Sequence, residues 1–114
     1  MVHTGPTARR LASVLLGLGV AIMALGPLQA AEAARVKIEN FTFEPKTLTV
    51  KVGTVVTFAN DDDIPHVVVA TDGSFRSKAL DTGDSYAFTF TKSGDFPYFC
   101  ALHPHMQGIV TVTP

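Results

Sequence analysis

Four side chains that can bind a soft metal ion lie within seven residues near the end of the 114-residue chain. They are Cys100, His103, His105 and Met106, and Cys100 is the only cysteine in the sequence. Proteins bind copper with these donor types, placing two His and one Cys in a plane with a weak axial Met. Offsets of three and six residues from Cys100 allow His103 and Met106 to return to one ion. The spacing therefore predicts a mononuclear copper site.

The second imidazole of such a site must be chosen from the remaining histidines. His105 cannot serve together with Met106, because adjacent side chains diverge and Pro104 stiffens the turn. His66 is the candidate, and the preceding Pro65 restricts the backbone that approaches it. We expect His66 to reach the metal from the end of another strand.

The thiol itself is expected to point into the protein. Cys100 ends an extended segment in which Phe96 and Tyr98 occupy the same face, since side chains alternate along a strand. A lone cysteine is more often an inert buried thiol than a ligand. The nearby imidazole and thioether make the ligand interpretation the better one here.

The body of the chain reads as strands separated by turns. Polar and apolar residues alternate over residues 36–39, 47–51, 85–91 and 110–113, while denser apolar runs cover 54–58 and 67–70. Clusters of Gly, Asn, Asp and Ser separate these segments. This pattern predicts an all-β fold, a small antiparallel β-sandwich of seven or eight strands.

Residues 1–30 are interpreted as a secretory signal peptide. Arg9 and Arg10 precede the apolar segment Leu11–Leu25, and Gly26-Pro27 then breaks the helical pattern. Small residues follow, which predicts cleavage somewhere within residues 30–34, with a site after Ala30 slightly favoured. The alternative is an uncleaved membrane anchor, because the uncharged run continues to Ala31. Cleavage would release a periplasmic protein with no membrane contact.

The remaining residues 31–114 suffice for one small domain with one core. Seven Lys and Arg stand against ten Asp and Glu in this segment, a net charge of about −3. Nucleic-acid binding is therefore not expected, since it needs clustered positive charge. A single cysteine excludes an internal disulfide. We expect a monomer.

Residues 31–114 resemble the cupredoxins, or blue copper proteins. The likeness rests on Gly-x-Phe-x-Tyr-x-Cys at residues 94–100, on Pro65-His66, and on Met106–Val110 leading into the last strand. The Cys-x-x-His-x-x-Met loop over 100–106 is similar to the short ligand loop of amicyanins, whereas most plastocyanins have a longer gap between His and Met. The resemblance implies a Greek-key topology and one type 1 copper ion. It further implies that His66, Cys100 and His103 are equatorial ligands and Met106 the axial ligand.

Two positions depart from the amicyanin pattern. Val67 stands where amicyanins have an Asn that braces the ligand loop, and His105 replaces a Phe. Loss of the Asn is expected to loosen the site. His105 is expected to be a solvated residue at its rim. The run Asp61–Asp63 is either a solvated loop or an acidic rim that steers a basic partner.

The family resemblance implies electron transfer by a Cu(II)/Cu(I) couple, with docking near His103. An electron donor enzyme and a c-type cytochrome-like acceptor are the partners it implies. The alternative is a periplasmic protein that binds and delivers copper without carrying electrons, and a metal-free adhesion sandwich is a third hypothesis. An enzyme is not expected, because Phe99 and Ala101 flank Cys100 where a multicopper oxidase needs His.

Overall fold

The computed structural model describes residues 32–114. The predicted signal peptide lies outside the described residues, as does its favoured cleavage site after Ala30. Within the part that is described, no helix is long and apolar enough to cross a membrane.

The described part of the chain contains eight strands, as predicted for an all-β sandwich. They are β1 (Ala33–Glu39), β2 (Thr42–Glu44), β3 (Thr47–Lys51), β4 (Val55–Asn60), β5 (Val68–Ala70), β6 (Ser85–Thr89), β7 (Gly94–Cys100) and β8 (His103–Thr113). One sheet has the order β2-β1-β4-β6 and the other β3-β8-β7-β5.

The predicted β-sandwich is confirmed; within residues 32–114, four of its six strand pairs are antiparallel and two are parallel. Strands β1 and β4 are parallel, with Val36 opposite Phe58, and β3 and β8 are parallel, with Val50 opposite Val112. The remaining pairs are antiparallel. Alternation fixes which residues face the core but carries no information on strand direction, so the two parallel pairs were not anticipated from the sequence.

The core lies between the two sheets and is rich in aromatic rings. Val36, Ile38, Phe58 and Val110 are fully buried, each on the inward face of its strand. Tyr98 packs edge-on against Phe58, with ring centroids 5.2 Å apart. Burial of apolar surface of this kind is the main favourable term in folding.

The strand ends bring the predicted site residues to one end of the sandwich. Strand β7 ends at Cys100, a turn covers Ala101 and Leu102, and β8 begins at His103. Strand β5 pairs with β7 so that Val68 lies opposite Cys100. His66 therefore enters beside the cysteine from the loop before β5.

Candidate metal centre

Cys100 is completely buried, and Tyr98 on the same face of β7 is 1% exposed. Phe96, also on this face, is partly buried. The inward orientation predicted from strand alternation is confirmed. The main-chain N–H of Val67 points at the sulfur, with 3.4 Å between N and Sγ. A buried thiol with one main-chain donor is shielded from solvent.

Three side chains converge at this point. The Sγ atom of Cys100 lies 3.6 Å from Nδ1 of His66 and 3.6 Å from Nδ1 of His103. All three donor atoms lie within 4.8 Å of one another. With metal–sulfur and metal–nitrogen bonds of about 2.3 and 2.0 Å, a trigonal ion would separate S from N by about 3.7 Å. The spacing therefore fits a single ion bound in a trigonal plane.

The two remaining residues of the loop are placed very differently. Met106 is 5% exposed and packs in the hydrophobic core, whereas His105 is exposed. His105 thus has the surface position expected of a rim residue. A buried thioether three residues after His103 would suit a weak fourth ligand.

His66 is held by a carboxylate that the sequence analysis did not assign to the site. Its Nε2 lies 2.9 Å from Oδ2 of Asp62, and both side chains are buried. Because Nδ1 faces Cys100, a metal bound at Nδ1 would leave the ring proton on Nε2, which would then donate a hydrogen bond to the carboxylate. The middle residue of the acidic run is therefore neither solvated nor part of a rim.

The pKa of Asp62 lies below its ordinary value for the same reason. The hydrogen bond from His66 contributes most to this lowering, burial opposes it, and the N–H groups of Phe41 and Asp63 add to it. Hydrogen bonds to an ionised carboxylate stabilise its charged form. Asp62 is thus an anion that the fold supplies with donors.

A buried amide fixes the loop that carries both residues. Asn60 is fully buried; its Nδ2 donates to the carbonyl oxygens of Ile64 and Leu80, at 2.9 Å each, and its Oδ1 accepts the N–H of Asp62. The main chains of His66 and Leu80 also exchange two hydrogen bonds. The position of the His66 ring is therefore set by the fold.

Main-chain hydrogen bonds tie position 67 to the ligand loop. The carbonyl of Val67 accepts the N–H of Ala101 at 3.0 Å, while its N–H faces the sulfur of Cys100. The backbone of Val67 thus contacts the ligand loop at two successive residues, Cys100 and Ala101. These bonds do not involve the side chain, so the loosening expected from the missing Asn stays a prediction.

An aromatic ring lies over the imidazoles. Phe41 packs edge-on against His103 and His66, with centroids 5.1 Å and 5.9 Å away. Phe41 is 50% exposed and Leu102 is 52% exposed, while His103 is partly buried. The end of the sandwich that holds the cluster therefore presents apolar surface to solvent.

Comparison with protein families settles the relationship that the loop suggested. Residues 12–112 match the model of the cupredoxin-like domain. The chain belongs to the cupredoxin family. Amicyanin from Paracoccus denitrificans is 35% identical over 95 residues, covering 75% of this chain and 72% of that protein. Chloroplastic plastocyanin from Chlamydomonas reinhardtii is 35% identical over 111 residues, covering 84% and 75%.

Solved structures show the same relationship. A purple cupredoxin from Nitrosopumilus maritimus is 34% identical with a TM-score of 0.67, covering 70% of this chain and 99% of that chain. A reduced amicyanin mutant is 32% identical, with a TM-score of 0.67 and coverage of 74% and 85%. The cofactor of this cupredoxin is one copper ion per chain, and the cluster has the donors of a type 1 site.

Proposed function

We propose that this cupredoxin is a mononuclear blue copper protein that passes single electrons between redox partners outside the cytoplasm. The observation that carries the proposal is the triangle formed by Cys100, His66 and His103, with both sulfur–nitrogen distances at 3.6 Å. These three residues would be the equatorial ligands, and the buried Met106 would be the axial one. The copper would supply the Cu(II)/Cu(I) couple.

The protein would contribute a site whose geometry does not depend on the metal. His66 is held by Asp62 and by its main-chain bonds to Leu80, and Cys100 is held within β7. Donors fixed in this way would move little between the two oxidation states. Such preorganisation is what a rapid one-electron carrier requires.

Partners would dock at the end of the sandwich where His103 reaches the surface. The exposed Phe41 and Leu102 supply apolar contact there. Asp61 and Asp63, which flank the buried Asp62, are also exposed. Apolar contact permits brief docking, and negative charge raises the encounter rate of a basic partner. An electron donor enzyme and a c-type cytochrome-like acceptor would be the partners. The carrier would act as a monomer.

Export would precede function. We propose that residues 1–30 are removed as a signal peptide and that residues 31–114 act in the periplasm. Strand β1 begins at Ala33, and the carbonyl of Glu32 accepts the N–H of Val55. Cleavage after Ala30 would keep this hydrogen bond and the whole of β1. Cleavage after Ala33 would remove Glu32 and the first residue of β1, which favours the earlier site.

The proposed role is that of a carrier and not of an enzyme. A copper-containing nitrite reductase from Thermus scotoductus shares the fold, with 34% identity and a TM-score of 0.68, but this chain covers only 23% of it. Phe99 and Ala101 flank Cys100, so no adjacent His is available to lead to a second copper centre.

Stopped-flow mixing of the reduced copper protein with oxidised cytochrome c tests the carrier function. We expect rapid oxidation of the protein at a rate that falls as salt is added, because salt screens opposite charges. Transfer of Cu(I) to a metal-free acceptor is measured in parallel. Slow electron exchange together with rapid copper transfer would instead identify a copper-delivery protein.

A further inference from the structure

The turn between β1 and β2 has an unusual backbone. Asn40 and Phe41 have φ values of +52° and +58°. Asn tolerates the left-handed region, but a bulky residue such as Phe seldom adopts it. Strained residues of this kind persist where the surrounding structure holds them, and they concentrate at functional sites. Phe41 therefore needs an explanation beyond the turn itself.

The strained backbone places the Phe41 ring across both imidazoles of the metal cluster. Its plane is nearly perpendicular to that of His103, at 90°, and to that of His66, at 86°. Edge-to-face contacts of this type are favourable aromatic arrangements. The ring thus bridges the two imidazoles on the solvent side, with half of its own surface exposed.

Asp62 joins this turn to the metal cluster. The main-chain N–H of Phe41 donates to Oδ2 of Asp62 at 3.1 Å, and the same oxygen accepts the Nε2–H of His66. The hydroxyl of Thr42 closes the turn by donating to the carbonyl of Glu39 at 2.7 Å. The ring of Phe41 is therefore held at a fixed place relative to His66.

The two imidazoles differ in what restrains them. His66 is fully buried and hydrogen-bonded to Asp62, whereas His103 is partly exposed and starts a strand after a turn. The ring of His103 is in edge-on contact with the half-exposed ring of Phe41. A small side chain at position 41 would leave that side of the His103 ring open.

We propose that Phe41 is a positioning residue that covers the copper centre, limits displacement of His103 and keeps water and small anions from the metal. This inference rests on the proposed copper site, and it assigns to Phe41 a role that partner docking alone would not require. The left-handed backbone of Phe41 is unfavourable in itself, but it places the ring against both imidazoles.

Two variants separate the ring from the backbone. Phe41→Ala removes the ring and keeps a side chain in the left-handed region, while Phe41→Gly removes the ring and relieves the backbone. Leu102→Ala is the matched control, since Leu102 is equally exposed in the same region but is not stacked on an imidazole. All are made in the full chain and loaded with copper.

Titration with azide, followed by visible and EPR spectra, reports access to the metal. We expect both Phe41 variants to bind azide at least tenfold more tightly than the wild type, and Leu102→Ala to match the wild type. Equal azide affinity in all four proteins would overturn the proposal. An intense thiolate-to-copper band in the wild type would show in the same experiment that the proposed copper site forms, whatever the result for Phe41.

A metal-free readout tests the restraint directly. In the metal-free full chain, proton NMR should show contacts between the Phe41 and His103 rings and one conformation of His103. Phe41→Gly should give averaged or multiple His103 signals with the rest of the spectrum unchanged, which also shows that the variant folds. A single His103 conformation in Phe41→Gly would contradict the proposal.

Discussion

The imidazole of His66 is held between an acid and a thiol. Its Nε2 lies 2.9 Å from Oδ2 of Asp62, and its Nδ1 lies 3.6 Å from Sγ of Cys100. A carboxylate on the far nitrogen of a metal-binding His fixes the tautomer and raises the basicity of the ring. Asp62 would therefore act on the copper through His66, one of the proposed ligands.

Asp62→Asn should weaken copper binding and raise the reduction potential. The Asn oxygen can still accept the Nε2–H of His66, so the variant removes mainly the charge that favours Cu(II). Loss of such partners typically lowers metal affinity about 10–100-fold. Copper competition assays and voltammetry measure both quantities. Asp63→Asn is the control, since Asp63 is an exposed neighbour; identical results for the two variants would rule out a special role for Asp62.

The two histidines of the ligand loop should respond differently to substitution. His103→Ala should abolish or strongly alter the visible spectrum of the copper protein, because its Nδ1 lies 3.6 Å from Cys100 Sγ. His105→Ala should leave the spectrum unchanged, because His105 is exposed. A spectrum sensitive to His105 and indifferent to His103 would require a different ligand set.

Gly108→Ala should destabilise the fold. Gly108 lies opposite Tyr98 on the neighbouring strand, and a Cβ added at 108 would overlap the phenol oxygen and ring of Tyr98. Overpacking a filled core costs about 1–3 kcal/mol. Denaturant unfolding of the metal-free protein measures the loss, and the exposed Gln107→Ala is the control. Equal stability of both variants would mean that the Tyr98 ring moves freely.

Stability should fall at high pH because Tyr98 is buried. Burial raises the pKa of Tyr98 above its ordinary value, so the unfolded chain loses this proton near pH ~10 while the folded protein retains it. The folded state is then disfavoured as pH rises through and beyond that value. Unfolding of the metal-free protein from pH 8 to 11 should show this decline. Tyr98→Phe should flatten it more than Tyr86→Phe, because Tyr86 is only partly buried; the reverse order would contradict the argument.

Much of the fold and the centre of the site followed from local patterns. Alternation along β7 predicted that Cys100 points inward, and the offset of three residues predicted that His103 returns to the thiol. These are short-range properties, set by side-chain spacing on a strand and the turn after it. The parallel pairing of β1 with β4 was not predictable, because it joins segments far apart in sequence.

The residues that support the ligands were also missed, for a physical reason. An Asp in a run of three reads as solvated, and the sequence does not reveal the hydrogen bonds, such as the one from the Asp62 N–H to Asn60 Oδ1, that hold Asp62 beside His66. Phe41 lies outside the alternating segments, and nothing in the sequence distinguishes it until its positive φ is known. Asp62 could have been singled out by its position four residues before His66, since the two side chains meet across a tight loop.

Addition of one equivalent of Cu(II) to the metal-free protein, followed by visible and EPR spectra before and after ascorbate, tests the copper-carrier account most directly. The account predicts an intense thiolate-to-copper band that bleaches on reduction, returns on reoxidation and is absent in Cys100→Ser. A colourless protein, or a band that survives in Cys100→Ser, would contradict it.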